Sequence, residues 1–292
     1  VVHLANRTLI DVDILALDRT TTSLASFIIT EDASLRDLSG ETYRLAIHGP
    51  TTPELLAGLG ASLPPEGGAM EATIADVPVT MWRFDATGEI GVELLCAMSD
   101  AARLYSTMLD RAGEQESGAV ALRASDPSSL HRRVRLARVG WHAFNIARIE
   151  AGTPLYNIDF GPESLPAESG VLSDRVSFTK GCYLGQEIVA RMHSRGHPKQ
   201  CLVALRLDRV INDATGEPSL PSGGAAVLDS SGAPVGAVTS STVAPMLGAA
   251  PVCFAQVKWE QSKAGTELSV QTDSAVLKGV VQESLAFWKR GK

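Results

Sequence analysis

Long hydrophobic runs are missing from this chain of 292 residues. No stretch reaches the roughly 18 apolar residues of a membrane-spanning helix, so no membrane partner is expected. Cysteine is sparse: Cys96, Cys182, Cys201 and Cys253 are far apart and form no CxxC pair. That excludes a disulfide framework and zinc-finger spacing, and it suits a reducing compartment such as the cytoplasm, or the mitochondrial matrix in a eukaryote. Aromatics are only 5% and the formal net charge is -7, which argues against stable nucleic-acid binding. The single basic run, His131–Arg138, has no interleaved aromatics for base stacking. It reads as a solvated face or as a local contact for phosphates or a polyglutamate tail. The dinucleotide, P-loop, HExxH and GxSxG signatures are all absent. What is present is a 45% hydrophobic fraction, enough for two domains with cores of their own.

Along the chain, residues 8–17 read as a strand and Thr20–Ile29 as a helix. Tyr43–His48 reads as a strand ended by Gly49-Pro50, and Pro53–Leu59 as a helix with Thr51 or Thr52 at its cap and proline in its first turn. Val77–Phe84 and Ile90–Cys96 alternate as paired strands about a turn at Asp85–Glu89. Ser99 is expected to cap a helix reaching Arg111. Gly113–Gly118 reads as a loop, Ala119–Arg123 as a short strand, and His131–Val139 as helix or strand. Gly140–Ala151 reads as a helix stopped by Gly152 and Pro154. After a loop, Tyr183 to about His193 forms another helix. From Cys201 the texture changes to short β-rich runs at 201–208, 225–229, 234–240, 252–258, 267–271 and 275–281. Gly, Pro, Asn and Ser turns separate them, the pattern of a small antiparallel barrel. The boundary falls near Pro198, giving domains 1–197 and 198–292.

The densest motif is Lys180-Gly181-Cys182-Tyr183-Leu184-Gly185-Gln186-Glu187. A lysine two residues before the cysteine and a helix start just after it are both conditions that favour a thiolate. The two glycines leave room for close approach. The other reading of the same residues is a buried structural thiol. His193 and His197 have the spacing of a metal pair. Pro198 and Gly196 break the helix there and further ligands are lacking, so no metal is expected.

The octapeptide resembles the signature of the YgfZ-type folate-binding proteins, relatives of the glycine-cleavage T-protein. The resemblance extends through Arg148-Ile149-Glu150-Ala151-Gly152-Thr153-Pro154, Asp159, Leu165-Pro166-Ala167-Glu168, Val176-Ser177-Phe178-Thr179 and Ile188-Val189-Ala190-Arg191. Gly236–Ser241 with Pro245 and Leu247-Gly248 adds a third block. Thr87-Gly88-Glu89 with Gly91 and Glu93 is similar to a T-protein segment. The blocks stand in the family's order over most of the chain. The family domain's opening segment has no counterpart here, and with it goes an aspartate important for folate chemistry in T-proteins.

The resemblance implies an α+β fold: a T-protein-like folate-binding module lacking its first segment, then a C-terminal antiparallel β-barrel. It implies tetrahydrofolate or a one-carbon derivative as the bound cofactor. The function it implies is support of iron–sulfur cluster assembly or repair in client proteins, tRNA-modifying enzymes among them, through Cys182. In that role Cys182, activated by Lys180, works beside bound folate. It attacks a partner's sulfur, accepts a one-carbon unit or touches a cluster. Glu89 is the expected pterin contact, since a carboxylate accepts paired N–H donors, although on residues alone it is also an ordinary turn glutamate. Arg148 is expected to meet a carboxylate or the pterin oxygen or to be a helix ion pair. Tyr156 and Asp159 are expected to line the same cavity. Two alternatives stay open: an aminomethyltransferase moving a one-carbon unit to tetrahydrofolate, and a non-catalytic adaptor. If the chain catalyses at all, it does so as a folate-dependent transferase.

Overall fold

A four-stranded antiparallel sheet and a closed six-stranded barrel each organise one half of the chain. The computed structural model describes residues 1–112, 136–213 and 216–288. The expected loop at 113–118, the expected strand at 119–123 and residues 131–135 of the basic run lie outside the described residues. Internal contacts divide the chain into two compact units, Val1–Gly140 and Trp141–Lys292.

The first unit opens with a two-residue hairpin, β1 (Val2–His3) and β2 (Thr8–Leu9), followed by α1 (Leu17–Ala25). The strand expected at 8–17 is therefore cut short. Asp13 accepts a hydrogen bond from the Leu15 amide and starts a 3-10 turn at Ile14, a local bond that competes with extension. The sheet follows: β3 (Thr42–His48), α2 (Thr52–Gly58), β4 (Ala69–Ile74), β5 (Val77–Arg83), β6 (Gly91–Ala97), then α3 (Ala101–Ala112). Spatial order is β3-β6-β5-β4, all antiparallel. β4 escaped the sequence reading, because Ala69-Met70-Glu71-Ala72-Thr73-Ile74 carries little β-branched character and directly follows Gly67-Gly68.

Alternation decides which face each side chain takes. Val92, Leu94 and Cys96 of β6 join Val77, Val79 and Met81 of β5 in a core closed by Leu55 and Leu56 of α2 and Leu104 and Met108 of α3. The opposite face of the sheet therefore carries Arg44, Glu93, Leu95 and Trp82.

The second unit begins with α4 (Trp141–Glu150), α5 (Leu172–Arg175) and α6 (Gln186–Arg195). The barrel is β7 (Gln200–Leu207), β8 (Ala226–Leu228), β9 (Pro234–Ala244), β10 (Ala250–Lys258), β11 (Glu267–Gln271) and β12 (Val276–Val281), closed in the order β10-β7-β12-β11-β8-β9. All six expected strands are present and every pairing is antiparallel. Val203, Leu205, Cys253, Val257 and Leu277 fill the interior. Leu202, Ala204, Val252 and Phe254 point outward into a second cluster with Ile149 of α4 and with Leu285 and Phe287 after β12. That outer cluster explains why the contacts divide the chain before α4, while the change of sequence texture falls near Pro198. The helix packs against β9 and β10, although its sequence belongs to the stretch before the barrel.

Candidate functional site

Glu93 lies in the middle of β6, paired with Ala46 of β3 and Trp82 of β5. Its neighbours Val92 and Leu94 enter the core, so the pleat turns its carboxyl to the other face. It is 6% exposed, and its Oε2 accepts no hydrogen bond among the described residues. Arg44 Nε stands 3.5 Å from that oxygen, close enough for an ion pair but without a hydrogen bond. Burial pushes the carboxyl up to about 7; Arg44 pulls it down, and Asp11 pushes it up again. A buried carboxyl lacking donors is costly, and such groups mark candidate sites.

The face that carries Glu93 is also the floor of a cavity of about 500 Å³ within the first unit, lined by Arg44, Trp82 and Leu95 of the sheet and by Arg7, Asp11 and Leu35 of the preceding chain. The volume falls in the range of about 300–1,000 Å³ usual for small-molecule sites. The walls combine apolar surface with charge of both signs.

Glu89 sits six residues into the β5–β6 connection, in the turn and half-buried. That turn is built by Asp85, whose Oδ1 accepts from the Gly91 amide at 2.8 Å and from Arg83 Nε at 3.0 Å. Gly91 is required there, since a Cβ would stand 2.1 Å from the Phe84 carbonyl oxygen and 2.5 Å from His48 Nδ1. Burial lowers the His48 imidazole, with Asp85 opposing. Glu93 is not among the site residues expected from the sequence. Its signal was an acid in the apolar run Gly91-Val92-Glu93-Leu94-Leu95-Cys96.

In the second unit, Arg148 and Asp159 meet. Arg148 is fully buried; its Nε donates to Asn145 Oδ1 at 2.8 Å and its Nη1 to the Thr153 carbonyl at 3.1 Å and to Asp159 Oδ2 at 2.6 Å. Nη2 has no hydrogen-bond partner among the described residues. Asp159 also accepts from the Leu155 amide at 2.9 Å, from Thr239 Oγ1 at 2.8 Å and from Ser240 Oγ at 2.6 Å. Four donors thus fill its two oxygens, a latch joining α4, the loop after it and β9. Asp159 spends its hydrogen-bonding capacity on Arg148 and on this frame, while Arg148 keeps Nη2 without a hydrogen-bond partner among the described residues. Tyr156 rides on the latched loop, half-buried, its ring edge-on to Phe160 at 5.9 Å. Glu150 is buried too, accepting from the Met246 amide at 2.9 Å; burial raises its carboxyl.

Cys182 lies on the second unit's surface and is exposed. The helix after it starts later than expected, at Gln186, because Gly185 takes the left-handed conformation (φ 84°) at the cap. The Gln186 side chain reaches back to accept from the Tyr183 amide at 3.1 Å. The thiol therefore stands in the loop ahead of α6, outside its first turn. Lys180 Nζ lies over the Tyr183 ring, 4.7 Å from the centroid, a cation–π arrangement. Of the other thiols, Cys96 and Cys253 are buried and Cys201 is half-buried. Burial raises all three. The histidines of the HxxxH spacing have separate neighbours. His193 packs on Phe178 at 4.2 Å and His197 stacks on Trp259 at 5.1 Å.

Comparison with known proteins identifies the frame. Residues 202–287 match the model of the glycine cleavage T-protein C-terminal barrel domain. The chain is similar to the aminomethyltransferase of Geobacillus kaustophilus, 28% identical over 265 residues, 89% of this chain and 64% of that protein. It is similar to that of Saccharopolyspora erythraea, 29% identical over 272 residues, 91% of this chain and 65% of that one. The crystal structure of glycine cleavage system aminomethyltransferase T from Bartonella henselae superposes with a TM-score of 0.72 at 20% identity, covering 95% of this chain and 68% of that one. The chain spans about 64% of the length of the curated relatives it matches. Its fold is T-protein-like, α+β with the closed antiparallel barrel at its C-terminal end.

Proposed function

We propose, on the premise of a T-protein-like fold, that the chain binds tetrahydrofolate or a one-carbon derivative. Glu93 is the carboxylate that receives the pterin. The observation that carries this reading is the buried carboxyl itself, which has an oxygen short of donors and shares its sheet face with Arg44, Trp82 and Leu95, which line a cavity of about 500 Å³. A pterin offers a ring N–H and an amino group side by side, and an ionised carboxylate accepts both. Trp82 and Leu95 supply apolar wall for the ring system. Glu89 remains the alternative carboxylate. In the second unit, Arg148 and Asp159 fix the loop that carries Tyr156.

The finer reading is the YgfZ-type role, in which a folate-binding chain supports iron–sulfur cluster assembly or repair in client proteins, including tRNA-modifying enzymes, in the cytoplasm or mitochondrial matrix. What supports it is the octapeptide and the placement of its thiol, since Cys182 is exposed while Cys96 and Cys253 are buried and Cys201 is half-buried. Lys180 holds Tyr183 beside it. The aminomethyltransferase reading is favoured by a separate observation, similarity to enzymes of that name over 82–91% of the chain.

Calorimetry with tetrahydrofolate tests the site. Glu93→Gln, which keeps the shape and removes the charge, is expected to weaken binding by roughly 10- to 100-fold, the worth of a charged hydrogen bond. Glu89→Gln should leave it within a few-fold. The reverse order would move the pterin contact to Glu89, and no binding by wild type would end the folate reading. Cys182→Ser separates the two finer roles. The Fe–S reading requires it to abolish rescue of client-enzyme activity in a strain lacking the protein, with folate affinity intact. Efficient one-carbon transfer from a lipoylated carrier, insensitive to Cys182→Ser, would establish the transferase instead.

A further inference from the structure

Residues 4–24 cross the cavity face of the first unit with no fully buried apolar side chain, Leu4, Leu9, Val12 and Leu17 being half-buried. Val2 is the one buried side chain among residues 1–39, while Ile14, Leu15, Phe27 and Ile29 are exposed. Two ion pairs supplement that partial burial. Arg7 Nη2 donates to Glu71 of β4 at 2.8 Å, and Asp11 pairs closely with Arg44 of β3. The side chains of both pairs are about half-exposed, and exposed pairs bias an equilibrium by no more than about fivefold each. A segment held in this way opens readily.

Arg44 is shared. Its Nη1 serves Asp11 on the crossing segment, while its Nε stands 3.5 Å from Glu93 on the sheet. One guanidinium therefore faces two carboxyls, one on the crossing segment and one on the sheet. We propose that residues 4–24 form a strap over the cavity and that Arg44 is its clasp, divided between Asp11, which closes the strap, and Glu93, which competes for the same cation. The coupling to ligand rests on the folate reading of this cavity. A pterin edge that satisfies Glu93 removes the competitor, leaves Arg44 to Asp11 and shuts the strap over the occupant. Closure and occupancy then favour each other by the same factor.

Hydrogen exchange read by mass spectrometry over residues 4–24 tests the clasp, with β5 and β6 as internal controls. In ligand-free protein, Asp11→Asn and high salt should each speed exchange of the strap several-fold and leave the two strands unchanged. Glu93→Gln should slow it, because an amide does not compete for Arg44. With tetrahydrofolate at saturation for each protein, the strap of wild type should slow several-fold and that of Asp11→Asn should not. Strap exchange that is the same in Asp11→Asn as in wild type and indifferent to salt overturns the clasp. Saturation without protection of the wild-type strap overturns the coupling. Should tetrahydrofolate fail to bind, the folate reading falls, and the ligand-free comparisons still decide the clasp.

Discussion

Glu93 holds its proton more tightly in the folded chain than in the unfolded one, at about 7 against an ordinary 4.5. The sign follows from linkage. The folded state binds more protons between these values, so stability falls as pH rises from about 4.5 to 7 and is lowest above that window. Each unit corresponds to about 1.4 kcal/mol, so the effect amounts to roughly 3 kcal/mol. Urea denaturation of wild type and Glu93→Gln across pH 4–8 should show the variant more stable at pH 8 and this component of the slope gone. Equal slopes would mean that the carboxyl is better solvated than the structure places it. The sequence alone does not mark this residue, because its meaning depends on which face of β6 is covered. Only the packing of Val92 and Leu94 under α2 and α3 settles that. Cys182 is the opposite case. Its exposure suits the octapeptide's glycines, but its expected place at a helix start gave way once Gly185, with no Cβ to oppose a positive φ, became the cap.

At the scale of elements, α4 shows how a legible helix hides its partners. Its stop was readable, since Gly152 adopts φ 81° and a Cβ there would stand 2.4 Å from the Ala286 amide nitrogen. The fate of Arg148 was not readable, because two of the hydroxyls that fill Asp159 belong to Thr239 and Ser240, 80 and 81 residues further on. Removing one member of a buried ion pair leaves the other charge uncompensated. Arg148→Leu is therefore expected to destabilise the second unit by about 3–5 kcal/mol. Adding Asp159→Asn should recover part of that loss, since the stranded charge is gone. A double-mutant cycle by thermal denaturation measures both. A loss below about 1 kcal/mol for Arg148→Leu would show that the latch is not what holds the loop.

At the scale of the whole molecule, each compact unit has its own core, and a unit with its own core folds by itself. Residues 141–292 expressed alone should unfold in one cooperative transition, and Gly236→Ala should lower its Tm sharply, because a Cβ at 236 would stand 2.1 Å from the Gln256 carbonyl oxygen. Expression from residue 198 onward should give a less stable product, since it uncovers Val252 and Phe254, which α4 covers through Ile149. Equal stability of the two fragments would detach α4 from the barrel's fold. By itself the sequence determined the six barrel strands, the β5–β6 hairpin and the helices flanking the sheet, all of which follow from local alternation, turn residues and caps. Tertiary structure alone decided that Arg148 and Asp159 belong to each other and that Glu93 is buried on the sheet face that carries Arg44, Trp82 and Leu95. It also decided that one arginine serves two carboxyls. These outcomes depend on contacts between residues distant in sequence, and on which face of a strand loses its water.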